Sequence, residues 1–429
     1  MTSRLAIEGG SPAVPPEMTK YSLNKPILTE EDIQAAIKVL RNGEIMGRVG
    51  SPQISALAEE WAAYVGAKYC IVVNSGTAAL HAAVAAAGIG PGDEVITTPF
   101  SFLTSATAIM YQNGIPVFAD IDARTYNIDP KRVEEKINDR TKAILVVHIA
   151  GLPCDMDEIN AIARKYNLVV IEDACQSHGA TYKGKKTGVL GDMGAFSLQW
   201  SKNLTTGADG GFLTTNNENF ALKAEMVGRF GEILKPDKPR DYQAYTMGWN
   251  YRSDEILAAI ARSRLKRLDE GNRQRQQNCE YLTKELSKIK GVIPPHVPKD
   301  RTHVYYLYII RFSPEDLGLD VNPRVFREKV EKALTAEGVD IGRWSGQPLF
   351  STVLFKQRVG YGKGCPWECP FGRRVKYQEE DFPVTLRFMD DFAVIWSVQP
   401  PNTLELMECY VEAFRKVFEN IERVLEYEP

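Results

Sequence analysis

The stretch Cys70-Ile71-Val72-Val73-Asn74-Ser75-Gly76-Thr77-Ala78-Ala79-Leu80-His81-Ala82-Ala83 decides the architecture. It opens on a compact apolar run without polar alternation, the pattern of a strand buried on both faces. A Ser-Gly-Thr turn follows, and then alanine-rich sequence to Ala87 that favours helix. The same theme recurs downstream. Residues 94–97, 117–119, 144–147 and 168–171 read as further strands, with turn residues such as Pro91-Gly92-Asp93 between elements. Residues 155–165, ending in Arg164-Lys165, read as a helix crossing between two of them. Buried strands separated by helices predict an α/β fold over residues 67–215, with a mostly parallel sheet covered on both faces.

Beyond Gly211 the pattern changes. Residues 228–247 are polar and rich in Pro, Tyr and Asp, which predicts an irregular loop. Ser253 before Asp254 and Glu255 predicts an N-cap with acids in the first turn. Residues 254–290 read as a long helix leading out of the first domain, with a break at Gly271. Alternation at Val304, Tyr306, Tyr308 and Ile310 predicts a strand, while 323–337 and 402–426 read as helices. The expected division is a large domain over 1–265, including an N-terminal arm, and a linking helix with a smaller α+β domain over 266–429. Residues 354–386 read as a long loop.

The chain has 429 residues, too many for one ordinary core, and a net charge of -3 from 52 basic and 55 acidic side chains. That balance supplies no basic field for nucleic acid and no polybasic patch for a membrane surface. No apolar run approaches the roughly 18–20 residues of a membrane span. The first ten residues lack the charged-then-apolar layout of a secretion signal, so the expected location is cytoplasmic. Seven scattered cysteines suit a reducing compartment. Only Cys365 and Cys369 lie close, and the five histidines are far from them in sequence, which favours a loop with two thiols over a zinc site.

Four constellations carry possible chemistry. Asn74-Ser75-Gly76-Thr77 opens a helix, where backbone N–H groups and the helix dipole favour an anion. Glu172-Asp173 follows a buried strand, placing Asp173 at the carboxyl edge of the sheet, where open α/β folds bind ligands. Lys202 stands among apolar and small hydroxyl residues, followed by Gly207-Ala208-Asp209-Gly210-Gly211. A lysine drawn out of water there can act as an amine nucleophile. Asn250 and Arg252 adjoin the start of the long helix and could bind anionic groups. Each also has an ordinary reading: a strand-to-helix turn, a capping acid, a solvated lysine, a capped helix. As a set they supply what pyridoxal 5′-phosphate (PLP) requires: a phosphate turn, an acid for the pyridine nitrogen and a lysine for the Schiff base.

The sequence resembles the DegT/DnrJ/EryC1/StrS sugar aminotransferases. The resemblance runs from Gly9-Gly10 through Ser75-Gly76-Thr77-Ala78-Ala79-Leu80 and Gly92-Asp93-Glu94-Val95. It continues in Glu172-Asp173-Ala174 with Gln176 and His178-Gly179-Ala180, in Phe196-Ser197 with Ser201-Lys202, and in Asn250 with Arg252. It implies the PLP-dependent transferase fold type I, with a mostly parallel seven-stranded sheet in a large domain and a smaller C-terminal domain. It further implies Lys202 as the Schiff-base lysine, Asp173 as partner of the pyridinium nitrogen and Gln176 at the ring hydroxyl. Phe102 matches the aromatic stacked on the ring, and Gly76, Thr77 and Ser197 match the phosphate contacts. Asn250 matches the residue reaching the phosphate of a neighbouring subunit, so a homodimer with shared sites is implied. Arg252 and His178 are candidate substrate residues; no metal is expected.

Three departures stand out. The 207–211 loop has one residue more than the family's Gly-Glu-Gly-Gly, with Asp in place of Glu. Arg264 stands near where the family often has glutamine. The 354–386 stretch is longer than in compact members, and with the Gly-Gly start it is most similar to the branch acting on keto-cyclitols such as scyllo-inosose. The implied activity is transfer of an amino group from glutamate or glutamine to a ketone of a sugar, nucleotide-linked or free, or of a cyclitol. Alternatives are a dehydratase of the same family, in which histidine replaces the lysine, an aminohydroxybenzoate-type synthase, and a non-enzymatic regulatory or binding protein.

Overall fold

The computed structural model describes residues 4–23, 27–43, 45–47, 50–235 and 238–428. Its centre is a seven-stranded sheet. The strands of its first half are β1 Tyr69–Val73, β2 Glu94–Thr97, β3 Ile115–Phe118, β4 Thr141–Val147 and β5 Val169–Asp173. After a small hairpin, β6 Thr181–Tyr182 with β7 Lys185–Lys186, come β8 Met193–Ser197 and β9 Gly211–Thr215. The order is β1-β9-β8-β5-β4-β2-β3, and only β9 runs against its neighbours.

Alternation along single strands shows why the sequence runs are continuously apolar. In β4, Leu145 and Val147 join one core while Ile144 and Val146 join another. Successive side chains leave opposite faces of a strand, so both faces must be covered.

The helices of this part are α1 Glu30–Asn42, α2 Pro52–Val65, α3 Gly76–Ala86, α4 Thr104–Met110, α5 Pro130–Lys136, α6 Met156–Tyr166 and α7 Glu218–Gly228, followed by α8 Glu255–Leu265 and α9 Leu268–Leu286. Helix α3 packs its alanines against Val73, Leu145, Ile171 and Leu213. On the opposite face α6 covers Ile144 and Val170, and α2 with α8 covers Val72, Phe196 and Phe212 around the fully buried Trp61.

A second sheet, β10 Val292–Ile293, β11 Tyr308–Phe312, β12 Ile341–Gly342 and β13 Phe392–Ile395, is antiparallel in the order β10-β11-β13-β12. It packs on α10 Pro323–Ala336 and α11 Leu404–Glu419. Leu5 and Val14 join this core, so the N-terminal arm, assigned from sequence to the large domain, is packed into the second one. Among the described residues no helix is long and apolar enough to cross a membrane.

Several local expectations are corrected. The long helix breaks at Lys266 and Arg267, not at Gly271, which stays helical. There Arg264 and Arg267 both turn onto the fully buried carboxylate of Asp32 in α1, at 3.3 and 2.8 Å. The predicted cap at Ser253 is replaced by Asp254, whose side chain makes no cap hydrogen bond. Glu255 instead accepts the amides of Gln53 and Ile54 and so caps α2. The strand expected from Val304 begins at Tyr308, and the C-terminal helix is interrupted at Asn420 before a last turn over Ile421–Glu426.

The stretch read as a loop contains the short helix Val353–Lys356 and the start of the helix Pro383–Asp391. Phe350, Phe355, Trp367 and Phe382 form a core of their own against Phe118 and Met110. Tyr377 donates to the Pro116 carbonyl at 2.7 Å, so this insert covers the β3 edge of the main sheet. Within it Cys365 and Cys369 are joined by a disulfide, not left as two thiols; their Cα atoms, 5.2 Å apart, lie inside the span such a bond requires.

Three buried histidines make stability depend on pH. Burial pushes His81 down to about 4, and His178 and His303 down to about 3. The unfolded chain therefore binds more protons below the ordinary histidine pKa of about 6.5. Stability is fully present above that pH and is lost as pH falls toward the folded values. The expected loss is about 1.4 kcal/mol per histidine for each pH unit below 6.5, about 4 kcal/mol for the three at pH 5.5. Urea midpoints at pH 7.5 and 5.5 measure it, and replacing His303 by Gln should remove about a third of the difference.

Candidate active site

The site gathers at the carboxyl ends of β5 and β8 and the start of α3. Ser75 caps α3 with its hydroxyl, accepting the Ala78 amide at 3.1 Å. Gly76 is the first residue of the helix and has no room for a side chain. A Cβ there would meet Ser197 Cβ at 2.7 Å and Cys175 Sγ at 3.1 Å. A Cβ on Gly211 would strike the Ser75 carbonyl at 2.5 Å, so the glycine pair closing the 207–211 loop lets β9 run against the turn. Gly76, beside Thr77, thus abuts Ser197 at one corner, the amino end of α3, where helix amides favour an anion.

Glu172 and Asp173 are separated by the pleat of β5, and the structure gives them opposite tasks. Glu172 is fully buried and accepts amides from Gly188, Leu190 and Gly191. It also receives His148 Nε2 at 2.9 Å, and because His148 Nδ1 accepts the Cys154 amide, the proton of this imidazole lies on Nε2. Asp173 is equally enclosed, with 4% of its surface exposed. It accepts Ser105 Oγ at 2.6 Å and the Cys175 amide at 3.2 Å, and among the described residues no cation pairs with it. Ser105 is in turn bonded to Ser101 at 2.7 Å.

Lys202 is half-buried, its Nζ 3.9 Å from the centre of the Tyr306 ring. The Tyr306 hydroxyl lies 3.1 Å from Ser201 Oγ, which fixes the ring beside the lysine. The ammonium is close enough to act on both neighbours of the acid. It opposes the rise that burial imposes on the Cys175 thiol, and it adds to the burial that lowers His178. Gln176 is buried and accepts the Ala150 amide at 2.7 Å. Phe102 leads into α4, three residues before Ser105, and offers an open ring with 62% of its surface exposed.

Two sequence-derived residues lie at the margin. Asn250 is exposed, its Oδ1 accepting Arg252 Nε at 2.9 Å, and the Arg252 guanidinium sits over Phe230. His178 has no exposed surface and packs between Trp61 and Phe196. Ser105 and Tyr306 escaped the sequence reading. Ser105 stands 68 residues from its partner Asp173, and nothing local marks either side chain.

The corner and the acid fit a planar, phosphate-bearing cofactor such as PLP. Gly76, Thr77 and Ser197 would hold the phosphate, Asp173 offers a carboxylate for a protonated ring nitrogen, Phe102 offers a face, and Lys202 offers an amine.

Comparison with known proteins agrees. The model of the DegT/DnrJ/EryC1/StrS aminotransferase family matches residues 26–383. A Micromonospora echinospora protein, named as a candidate L-glutamine:3-amino-2,3-dideoxy-scyllo-inosose aminotransferase, is 33% identical over 425 residues, covering 96% of this chain and 97% of that one. GDP-perosamine synthase of Caulobacter vibrioides is 41% identical over 281 residues, 65% of this chain and 72% of its own. Among solved structures, the aminotransferase from Psychrobacter cryohalolentis superposes with a TM-score of 0.79 at 29% identity, covering 92% of this chain and 98% of that one. The chain belongs to the DegT/DnrJ/EryC1/StrS aminotransferase family and is a PLP-dependent aminotransferase.

Proposed function

We propose that this aminotransferase moves an amino group from glutamate or glutamine to a ketone carbon of a cyclitol or sugar, with Lys202 as covalent anchor and proton carrier. The observation that carries the reading is a half-buried amine on Lys202 together with a buried carboxylate on Asp173 that pairs with no cation among the described residues. PLP, when bound, supplies an electron-accepting ring that stabilises negative charge at the carbon losing its proton. The protein's own groups do the rest. Asp173, oriented by Ser105, favours a protonated ring nitrogen. Gln176 is held by Ala150 in position for the ring hydroxyl. Lys202, released from its covalent link, is the amine that moves a proton at the reacting carbon.

A second copy of the chain completes the site in this reading. Tyr242, Tyr245 and Met247, each at least 60% exposed, stand on the same irregular segment that leads to Asn250, an apolar surface suited to a partner. Asn250 would then reach the partner's phosphate corner.

A keto-cyclitol is the favoured acceptor because the cyclitol-type relative aligns over nearly the whole chain, whereas the nucleotide-sugar relative aligns over 281 residues. The dehydratase alternative would place histidine where this chain has Lys202. The test is transfer of 15N from labelled glutamine or glutamate to scyllo-inosose, free keto sugars and nucleotide-linked keto sugars. Label in a cyclitol amine is the expected result. Label only in a nucleotide-linked amine would move the acceptor, and no transfer from either donor would end the reading.

Gly76→Ala probes the phosphate corner. Overpacking against Ser197 is expected to weaken cofactor binding about tenfold, the lower part of the 1–3 kcal/mol usual for a forced methyl. A spectrophotometric titration of the apoprotein with PLP measures it.

A further inference from the structure

A cavity of about 340 Å³ opens beside Lys202. It lies between residues 21–23 with Ile27 and Thr29, the 200–203 turn, the α8–α9 junction and residues 399–401. Its volume is at the small end of the roughly 300–1,000 Å³ typical of small-molecule sites, enough for an amino acid and too little for a sugar nucleotide.

The wall is cationic. Lys202, Arg264, Arg267 and Arg275 all line it. Arg264 and Arg267 share the single carboxylate of Asp32. The one acid on the wall, Glu270, is engaged by Arg273.

Among the described residues Arg275 has no counterion. Only 6% of it is exposed, and no carboxylate among the described residues pairs with it. It donates one long hydrogen bond, 3.4 Å, to Asn272 Oδ1, and its Nε has no partner. Burial holds its guanidinium down to about 10. Four buried side-chain atoms without a hydrogen-bond partner among the described residues belong to this wall: Arg275 Nε, Arg264 Nε, Asn203 Oδ1 and Gln399 Oε1. Folded proteins pair about nine in ten such groups, so their concentration on one surface marks a place built for a polar ligand. An unpaired buried guanidinium is costly and its planar donors match a carboxylate.

We infer that this cavity is the carboxylate site for the amino donor, with Arg275 as its fixed cation. The inference rests on the donor half of the proposed reaction, in which the donor's amine must arrive where Lys202 stands. Lys202 is on the same wall, so a donor anchored by its carboxylate at Arg275 is delivered to the amine from the side of α9.

The test measures binding to the PLP-loaded enzyme by calorimetry, with glutarate, neutral glutaramide and inorganic phosphate as probes. Glutarate is expected to bind at least tenfold more tightly than glutaramide and more tightly than phosphate. Arg275→Gln should weaken glutarate at least tenfold and raise KM for glutamine by a similar factor, while the visible absorbance of the bound cofactor is unchanged; Arg275→Lys should fall between. Equal affinity for glutarate and glutaramide, preference for phosphate, or an Arg275→Gln protein that keeps glutarate within twofold would each overturn the inference. Should Arg275→Gln fail to fold, the three probes on the unaltered enzyme decide. Failure of the aminotransfer reading registers separately, as absence of 15N transfer in that enzyme.

Discussion

A Lys202→Ala enzyme is expected to lose amino transfer by at least about 10³-fold, the scale of removing a positioned proton-transfer group, before counting the lost covalent anchor. The fold should survive. Lys202 is half-buried in a turn, its Nζ rests on the Tyr306 ring, and no ion pair depends on it among the described residues. Losing that cation–π contact costs about 1 kcal/mol. The decisive readout is chemical. Borohydride added to the PLP-loaded protein should fix the cofactor on the peptide containing Lys202, and on no peptide of the alanine variant. A small primary amine such as methylamine should restore part of the variant's rate, because the missing function is an amine and the Tyr306–Ser201 wall that orients it remains. Retained transfer by Lys202→Ala, or a borohydride mark on another lysine, would remove the lysine from the mechanism and with it the assignment of the whole corner.

Much of this site was legible because its parts sit on short, locally decisive motifs. A buried run followed by Ser-Gly-Thr must become a strand feeding a helix, and an acid at the end of such a run must face the sheet edge, so the positions of Gly76 and Asp173 followed from local sequence. What escaped is what depends on distant partners. Ser105 and Tyr306 look like any serine and tyrosine until α4 meets β5 and the segment before β11 meets the 200–203 turn. The helix break was misplaced at Gly271 because glycine is the weakest helix former locally, whereas the actual break follows Arg264 and Arg267 turning onto Asp32, more than 230 residues earlier in the chain. The 354–386 stretch looked structureless since its aromatics have no period of their own; their order comes from the β3 edge they cover. The direction of His178 is set by distant partners as well. It adjoins Asp173 and Gln176 in sequence, but the turn after β5 directs it inward against Trp61.

Asp173→Asn is expected to lower kcat about 10³-fold while leaving the protein folded, and the pairing of these two results is what the structure argues for. The carboxylate is almost fully enclosed and, among the described residues, is met only by neutral donors, the Ser105 hydroxyl and the Cys175 amide. Both contacts are hydrogen bonds that a neutral group of the same shape can make, so packing here does not depend on an ion pair. An asparagine keeps the shape, still accepts the Cys175 amide, and can receive its second contact by donating to Ser105. Stability should therefore change by no more than about 1 kcal/mol, within the range of one exchanged hydrogen bond. Function should not be spared, because a carboxamide supplies no negative charge to hold a ring nitrogen protonated, and electrostatic support of that kind is worth about 10²–10³-fold per group. Ser105→Ala should show a smaller loss, about tenfold, since it frees the carboxylate to turn without removing its charge. Single-turnover 15N transfer read beside urea midpoints separates the two effects. An asparagine variant that unfolds readily would make Asp173 a structural acid like its neighbour Glu172, and one that transfers nitrogen at the normal rate would mean that the cofactor's ring nitrogen is held elsewhere.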